Sequence, residues 1–206
     1  MTGRTCEPLG DQAVLVTTAS PADAVALAAA VRAANRPGVV DVVPAYAAVG
    51  VYLDPDVADL AATLAWLTSL HAEPRPATAG TLHVIPVDYT QGPDLDHVAR
   101  VTGLDADEVV RLHTSCEYTA FAVGFAPGFA YLGPLPPALC GVPRLATPRV
   151  RVPAGSVGLT GDQTGVYPLD RPGGWPLIGR TPRVLVDVAA GYFPLAVGDR
   201  VRFVAG

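Results

Sequence analysis

The chain has 206 residues, half of them hydrophobic, and its 19 acidic side chains outnumber its 14 basic ones, giving a formal net charge of −5. This composition is typical of a globular protein with one large or two small domains, and it disfavours nucleic acid or an anionic membrane as the main partner. All 14 basic residues are arginine, so mechanisms that need a lysine amine in this chain are excluded, among them a Walker A phosphate loop, a Schiff-base cofactor enzyme and a covalent biotin carrier.

The first part of the chain alternates strand and helix patterns. Ser20 before Pro21 is a helix start signal, and Pro37 with Gly38 ends that helix. Six elements are predicted in the order β-α-β-β-α-β, at residues 12–17, 20–35, 39–43, 47–53, 55–72 and 81–87. This order is that of a ferredoxin-like sandwich, which defines a fold class and no function.

Two short helices are predicted next, at residues 93–102 and 106–113, with Asp105 and Glu108 as a capping box for the second. The segment resembles a helix-turn-helix, but its charged residues sum to −3, so phosphates would repel it.

Glycine and proline locate the change of architecture. Residues 1–123 hold 16 of these 42 residues, whereas residues 124–182 hold 22 in 59 positions, a density that favours turns and short strands. Short β-compatible runs lie at residues 118–125, 149–152, 156–160, 165–167, 183–188 and 200–204. The sequence therefore predicts an α+β protein with an N-terminal sandwich domain at residues 1–80 and a β-barrel domain at residues 81–206, entered through the helical segment 93–114.

The Gly/Pro-rich stretch also holds the densest group of polar residues. Its members are Arg144, Arg149, Arg151, Ser156, Gln163, Thr164, Tyr167 and Arg180. Arginine binds carboxylates and phosphates bidentately, and nearby glycines allow close approach of the backbone, so a small anionic or amide substrate would suit this group. The alternative is that the glycines form barrel corners and the arginines are solvated.

The remaining reactive residues give weaker signals. His113 lies three residues before Cys116, which allows a Cys/His nucleophile pair without matching the spacing of any such family. No His, Cys and Asp set has metal-ligand spacing, and no metal is expected. The three cysteines lack paired spacing, and neither a secretory signal nor a membrane span is recognisable, so a cytoplasmic protein is expected. Trp175 stands between Gly174 and Pro176 in a predicted turn, where a protein partner would cover its ring.

Several longer motifs resemble the 5-oxoprolinase B-subunit family, which is also called KipI-like or the allophanate hydrolase subunit 1 family. They lie in family order at residues 124–132 (GFAPGFAYL), 148–149 (PR), 152–157 (VPAGSV), 163–168 (QTGVYP), 172–175 (PGGW) and 178–182 (IGRTP). Weaker matches at residues 10–11, 86–95, 112–114 and 198–201 extend the resemblance over most of the chain. Arg171 departs from the serine expected before PGGW, so specificity at that loop stays open.

The resemblance implies a small α+β domain followed by a cyclophilin-like barrel. It implies a component of an ATP-dependent 5-oxoprolinase complex that opens 5-oxo-L-proline to L-glutamate. Activity is expected only with two partners, the carboxyltransferase-like C subunit together with the A subunit, and with ATP and Mg bound in the complex. The alternatives are a KipI-like inhibitor of a sporulation-type histidine kinase and a urea carboxylase or allophanate hydrolase-type component.

On this basis, residues are assigned to three roles. Arg149, Arg180 and Gln163 are the expected catalytic residues. The expected substrate-binding residues are Arg144, Ser156, Thr164, Tyr167, His113 and Phe125. Trp175 and Tyr131 are expected at the partner interface.

Overall fold

The computed structural model describes residues 4–72 and 80–206. The chain forms two compact units that meet in sequence at positions 79 and 80.

The first unit combines a sheet with two helices. Its elements are β1 (Thr5–Pro8), β2 (Ala13–Thr17), α1 (Pro21–Ala34), β3 (Val39–Ala45), β4 (Ala48–Leu53) and α2 (Leu60–Ser69). The strands lie in the order β1-β2-β4-β3, with every neighbouring pair antiparallel. The Ser20 side chain accepts a hydrogen bond from the Asp23 amide, and Asn35 ends α1 in the left-handed conformation, so the predicted helix boundaries are confirmed.

The split βαβ arrangement is present, because β4 lies between β2 and β3 and is antiparallel to both. The sixth predicted element, residues 81–87, does not join this sheet. Strand β1, which the sequence analysis missed, occupies the outer position beside β2. The sandwich therefore takes its fourth strand from the start of the chain.

The second unit is built around a barrel-like sheet. Its elements are β5 (Leu82–Val87), α3 (Leu95–Thr102), α4 (Ala106–Thr114), β6 (Glu117–Val123), β7 (Ala130–Gly133), β8 (Arg149–Val152), β9 (Ser156–Thr160), β10 (Gln163–Val166), β11 (Arg171–Gly173), β12 (Leu177–Arg180) and β13 (Arg200–Ala205). Short 3₁₀ turns lie at Tyr89–Gln91 and Pro137–Leu139.

The main sheet runs β12-β9-β10-β7-β6-β13-β5, with β8 and β11 as a separate two-stranded ribbon. Strand β5 pairs in parallel with β13, 118 positions later. The two outer strands meet where Asp88 and Arg180 exchange backbone hydrogen bonds of 2.8 and 2.9 Å. The sheet is thus nearly closed, as predicted for a barrel.

One predicted strand in this unit is wrong. Residues 183–188 form no ladder and carry only an isolated bridge from Asp187 to Tyr192. Contact between Asp88 and Arg180 already occupies that edge of the sheet, so no partner strand is free for them. Strands β7, β11 and β12 were not predicted: each has only three or four residues and includes a glycine, which weakens a strand pattern.

Helices α3 and α4 pack on the barrel through buried residues that include Val98, Val109 and His113. Asp105 accepts the Glu108 amide at 2.8 Å, so the predicted cap is confirmed. Among the helices of residues 4–72 and 80–206, none has the length and apolar character needed to cross a bilayer.

Candidate functional site

A small pocket on the second unit brings together residues from three of the motifs. Its lining is Phe125, Phe129, Tyr131, Arg144, Tyr167, Gly173, Gly174 and Trp175, around a volume of about 80 Å³. We call it the arginine–aromatic pocket.

Phe129 is the centre of this pocket's aromatic cluster. Its ring meets those of Tyr131, Tyr167 and Trp175 edge to face, with centroids 4.9, 5.3 and 5.5 Å away. Phe129 and Trp175 are buried, so the walls are held by packing within the chain.

Phe125 covers the pocket from the solvent side. The residue is 61% exposed, and its ring meets the rings of Phe129 and Tyr167 edge to face. Its φ is +71°, a left-handed conformation that strains any residue with a Cβ. Such strain is concentrated at ligand-binding and catalytic sites.

Two arginines act on the pocket electrostatically. Burial raises the pKa of Tyr167, and this effect is opposed by a hydrogen bond with the Trp175 backbone and by the charges of Arg144 and Arg149. Arg144 is exposed, and within residues 80–206 it has no carboxylate within ion-pair distance. Its guanidinium is therefore available to an anionic ligand.

Arg149 is engaged differently. Its Nη2 donates to Asp94 Oδ1 at 2.7 Å, while its Nη1 is buried without a hydrogen-bond partner in the described structure. Asp94 neutralises much of the charge of Arg149. Arg149 pairs with Gly173 of the pocket lining, so it supports the pocket wall and is not a free cation for a ligand.

Arg180 lies apart from this pocket, in a larger cavity of about 640 Å³ that we call the arginine groove. The groove lies between the β8–β9 turn, the end of β5 and the segment after β12. Its polar side chains are those of Asp88, Gln91, Arg180, Thr181 and Arg183. Neither Asp88 nor Arg183 belongs to the polar Gly/Pro-rich group, so neither was among the predicted site residues.

His113 and Thr164 correct the expected substrate-binding set. The His113 ring is fully buried, with Nδ1 2.7 Å from Tyr89 Oη and Nε2 2.8 Å from Thr164 Oγ1, and it stacks on Phe203. Burial lowers its pKa to about 3, so the imidazole is neutral. Both side chains are buried in the second unit, and neither lines the arginine–aromatic pocket or the arginine groove.

Ser156 and Gln163 line neither cavity. Ser156 is buried, and its backbone carbonyl accepts the Tyr167 amide at 2.9 Å. Gln163 is half-buried at the start of β10, opposite Thr160. Of the predicted substrate-binding and catalytic residues, the pocket therefore contains Arg144, Tyr167 and Phe125. The side chains of Ser156, Gln163 and Thr164 are not part of its lining.

Trp175 differs from expectation because its own chain covers it. The ring packs against Phe129 and Tyr131, and 5% of the residue is exposed. This placement removes the reason for assigning it to a partner interface. Tyr131 is half-buried beside it.

Within the described residues, no group of three or more His, Cys, Asp or Glu side chains has an arrangement suited to a metal ion. Asp94 is a further residue missed from sequence. It lies within the weak motif match at residues 86–95, but its contact with Arg149 spans 55 positions and leaves no signal in the sequence.

Residues 4–193 match the family model of the carboxyltransferase domain, subdomain C and D. The chain belongs to this family, and the resemblance seen in its motifs is confirmed. The B subunit of the 5-oxoprolinase of Escherichia coli O157:H7 is 55% identical over 123 residues, which are 58% of this chain and 56% of that relative. The matched region thus spans little more than half the length of that relative.

Two solved structures share the fold. The crystal structure of TTHA0988 is 41% identical with a TM-score of 0.78, over 90% of this chain and 37% of that one. The urea carboxylase of Kluyveromyces lactis has a TM-score of 0.72 over 98% of this chain and 22% of its own, at 17% identity, a level that shows the fold alone.

Proposed function

We propose that this chain is a component of an ATP-dependent 5-oxoprolinase and binds 5-oxo-L-proline in the arginine–aromatic pocket. The observation that carries the proposal is the convergence of Arg144 and five aromatic rings in one pocket. The name of the relative from E. coli supports the choice of substrate.

The pocket suits the chemistry of this ligand. 5-Oxoproline is a flat five-membered lactam with one carboxylate. The volume of about 80 Å³ admits only part of the ligand. The rings of Phe129, Tyr167 and Trp175 offer an apolar surface for the lactam, and Arg144 offers a charged donor for the carboxylate. The guanidinium is exposed and therefore accessible to an entering anion.

Opening the lactam requires loss of amide resonance, and ATP can supply the activation. Transfer of the γ-phosphoryl group to the lactam oxygen leaves ADP and makes the ring carbon more electrophilic. Water then adds to that carbon, and the ring C–N bond breaks with protonation of nitrogen, giving γ-glutamyl phosphate. A second water releases phosphate and glutamate. In this series of reaction steps, the role of this chain is to bind and orient the lactam.

We propose that the activity belongs to a cytoplasmic complex in which this chain works with the carboxyltransferase-like C subunit and with the A subunit, and in which ATP and Mg are bound. The relative from E. coli is named as one subunit of its enzyme, which supports a multi-chain assembly. The likeness to TTHA0988, in which the matching region is 37% of a longer chain, supports a domain that works beside others.

The test is 5-oxoproline-dependent ATP hydrolysis by this chain alone, with the C subunit, and with the C and A subunits together. Turnover only in the assembled complex is expected. Absence of turnover in every combination, with assembly shown by size-exclusion chromatography, would reject the proposal and favour the kinase-inhibitor or urea-type alternative.

A further inference from the structure

The arginine groove holds two cations without carboxylate partners. In the part of the chain from residue 80 onward, five arginines lie within 4 Å of a carboxylate: Arg111, Arg149, Arg151, Arg200 and Arg202. Arg180 and Arg183 have no such partner there, yet both line one cavity. The pKa of Asp170 is lowered by the Ala154 amide and, more weakly, by the charge of Arg180, but that carboxylate forms its ion pair with Arg151. Two cations in one concave site, neither within 4 Å of a carboxylate, favour an anion.

Both guanidinium groups are positioned by backbone carbonyls. Arg180 Nε donates to Ala154 O at 3.2 Å, and Arg183 Nη1 donates to Val84 O at 2.6 Å. These bonds restrain each side chain while leaving other N–H donors of both groups without a partner in the described structure. A restrained arginine with free donors is suited to phosphate oxygens, because little rotamer freedom is lost on binding.

Asp88 is the acidic residue in the same cavity, and its carboxylate is already engaged. It accepts hydrogen bonds from the Thr90 amide at 3.0 Å, Thr90 Oγ1 at 2.6 Å and Gln91 Nε2 at 2.7 Å. The Thr90 hydroxyl, followed by Gln91, lowers the pKa of Asp88, so this carboxylate stays ionised and turned toward its own loop. It does not pair with either arginine.

At the base of the groove, position 155 can hold only glycine, because a side chain there would clash with the backbone. Gly155 has φ +84°, and a Cβ there would lie 2.3 Å from the Thr181 carbonyl oxygen. Backbone hydrogen bonds from Gly155 to Tyr167 and from Thr181 to Gly155, at 2.7 and 2.9 Å, fix this base. Val184 and Val186 add an apolar side to the cavity.

We propose that the arginine groove binds a nucleoside triphosphate, with Arg180 and Arg183 on the phosphate oxygens and the valine side against the nucleoside. A volume of about 640 Å³ is sufficient for a ligand of this size. The inference rests on the proposed function, which needs ATP beside the lactam. Tyr167 lines the arginine–aromatic pocket and its neighbour Pro168 lines the groove, so one short segment separates the two cavities.

The test is isothermal titration of the full chain with Mg-ATP, using the variants Arg180→Gln and Arg183→Gln. Glutamine keeps a donor for the anchoring carbonyl and removes the charge. Each substitution is expected to weaken binding about ten-fold or more, as for loss of a charged hydrogen bond. Arg111→Gln, on the exposed face of α4, is the matched control and is expected to bind like the wild type.

Competition by inorganic tripolyphosphate supports the assignment of the arginines to the phosphates. No binding by the wild-type chain, or equal affinity in the wild type and in a chain carrying both Arg180→Gln and Arg183→Gln, overturns it. So does a loss in Arg144→Ala as large as that in Arg180→Gln, which would place the nucleotide in the other pocket. Because this readout is nucleotide binding, it stands apart from the lactam-dependent turnover that tests the proposed function.

Discussion

Arg149 and Asp94 form an ion pair that joins the ribbon strand β8 to the start of α3, with Nη2 and Oδ1 2.7 Å apart. The other oxygen of Asp94 accepts the Leu177 amide at 2.7 Å, and the Asp94 amide donates to the Leu177 carbonyl at 2.9 Å. Three segments distant in sequence therefore meet at one carboxylate. This arrangement holds Arg149, one of the three residues predicted to be catalytic, in a fixed position beside the pocket.

Substitution Asp94→Ala is expected to lower the free energy of unfolding by about 2 to 4 kcal/mol, because it leaves the Arg149 cation and the Leu177 amide without their acceptor. Urea unfolding measures this change. Glu108→Ala, which breaks the exposed pair with Arg111, is the control and should have a much smaller effect, because solvent screens that pair. Equal effects of the two substitutions would contradict the role assigned to Asp94.

The positions of helices and strands could be predicted from the sequence better than the pairing of the strands. The sequence pattern predicts a strand at residues 81–87, but it carries no information on whether that strand pairs with β2 or with the distant β13. Strand β1 has only four residues and no apolar alternation, so no signal was available for it.

The candidate site shows the same limit. Composition drew attention to Arg144, Tyr167 and Phe125, which the fold brings together. It could not separate them from Thr164 and His113, because a polar residue buried in a barrel core and one in a pocket look alike in sequence. Arg183 and Asp88 come together in the arginine groove only because the barrel closes at the bridge between Asp88 and Arg180, which the sequence does not reveal.

His113 predicts a pH dependence of stability. Its pKa in the folded protein is about 3, lowered by burial, whereas an unfolded histidine titrates near 6.5. As the pH falls below about 6.5, the unfolded state takes up a proton that the folded state does not, so stability is lost down to about pH 3. The loss between pH 7.5 and pH 5 should be about 2 kcal/mol.

Urea unfolding of the wild type and of His113→Gln at these two pH values isolates this contribution. The variant is expected to be less stable at pH 7.5 and to lose about 2 kcal/mol less on acidification. Identical pH dependence in both proteins would show that His113 does not titrate as the buried geometry requires.

Phe125 predicts a stability difference between two truncations. Both Phe125→Ala and Phe125→Gly remove the ring, but only glycine adopts φ +71° without strain from a Cβ. The glycine variant should therefore be the more stable of the two by about 1 kcal/mol in urea unfolding. An alanine variant of equal or greater stability would mean that the left-handed conformation carries no strain.

Gly173 predicts a steric block of the arginine–aromatic pocket. A Cβ at this position would lie 2.3 Å from Tyr167 Oη, so Gly173→Ala must displace the phenol ring. The KM for 5-oxoproline in the reconstituted complex is expected to rise at least ten-fold, a free-energy change of about 1.4 kcal/mol. Gly124→Ala meets no atom within 4 Å and serves as the control. A KM unchanged in Gly173→Ala would argue against lactam binding at Tyr167.

The most direct test of the account is the dependence of turnover on 5-oxoproline concentration in the complex carrying Arg144→Ala, beside the wild type and Arg111→Ala. Removing a charged donor from the substrate carboxylate should raise KM by about ten-fold or more, while the Arg111 variant, changed on the exposed face of α4, keeps the wild-type value. A wild-type KM and kcat in Arg144→Ala would contradict the claim that this pocket binds the lactam.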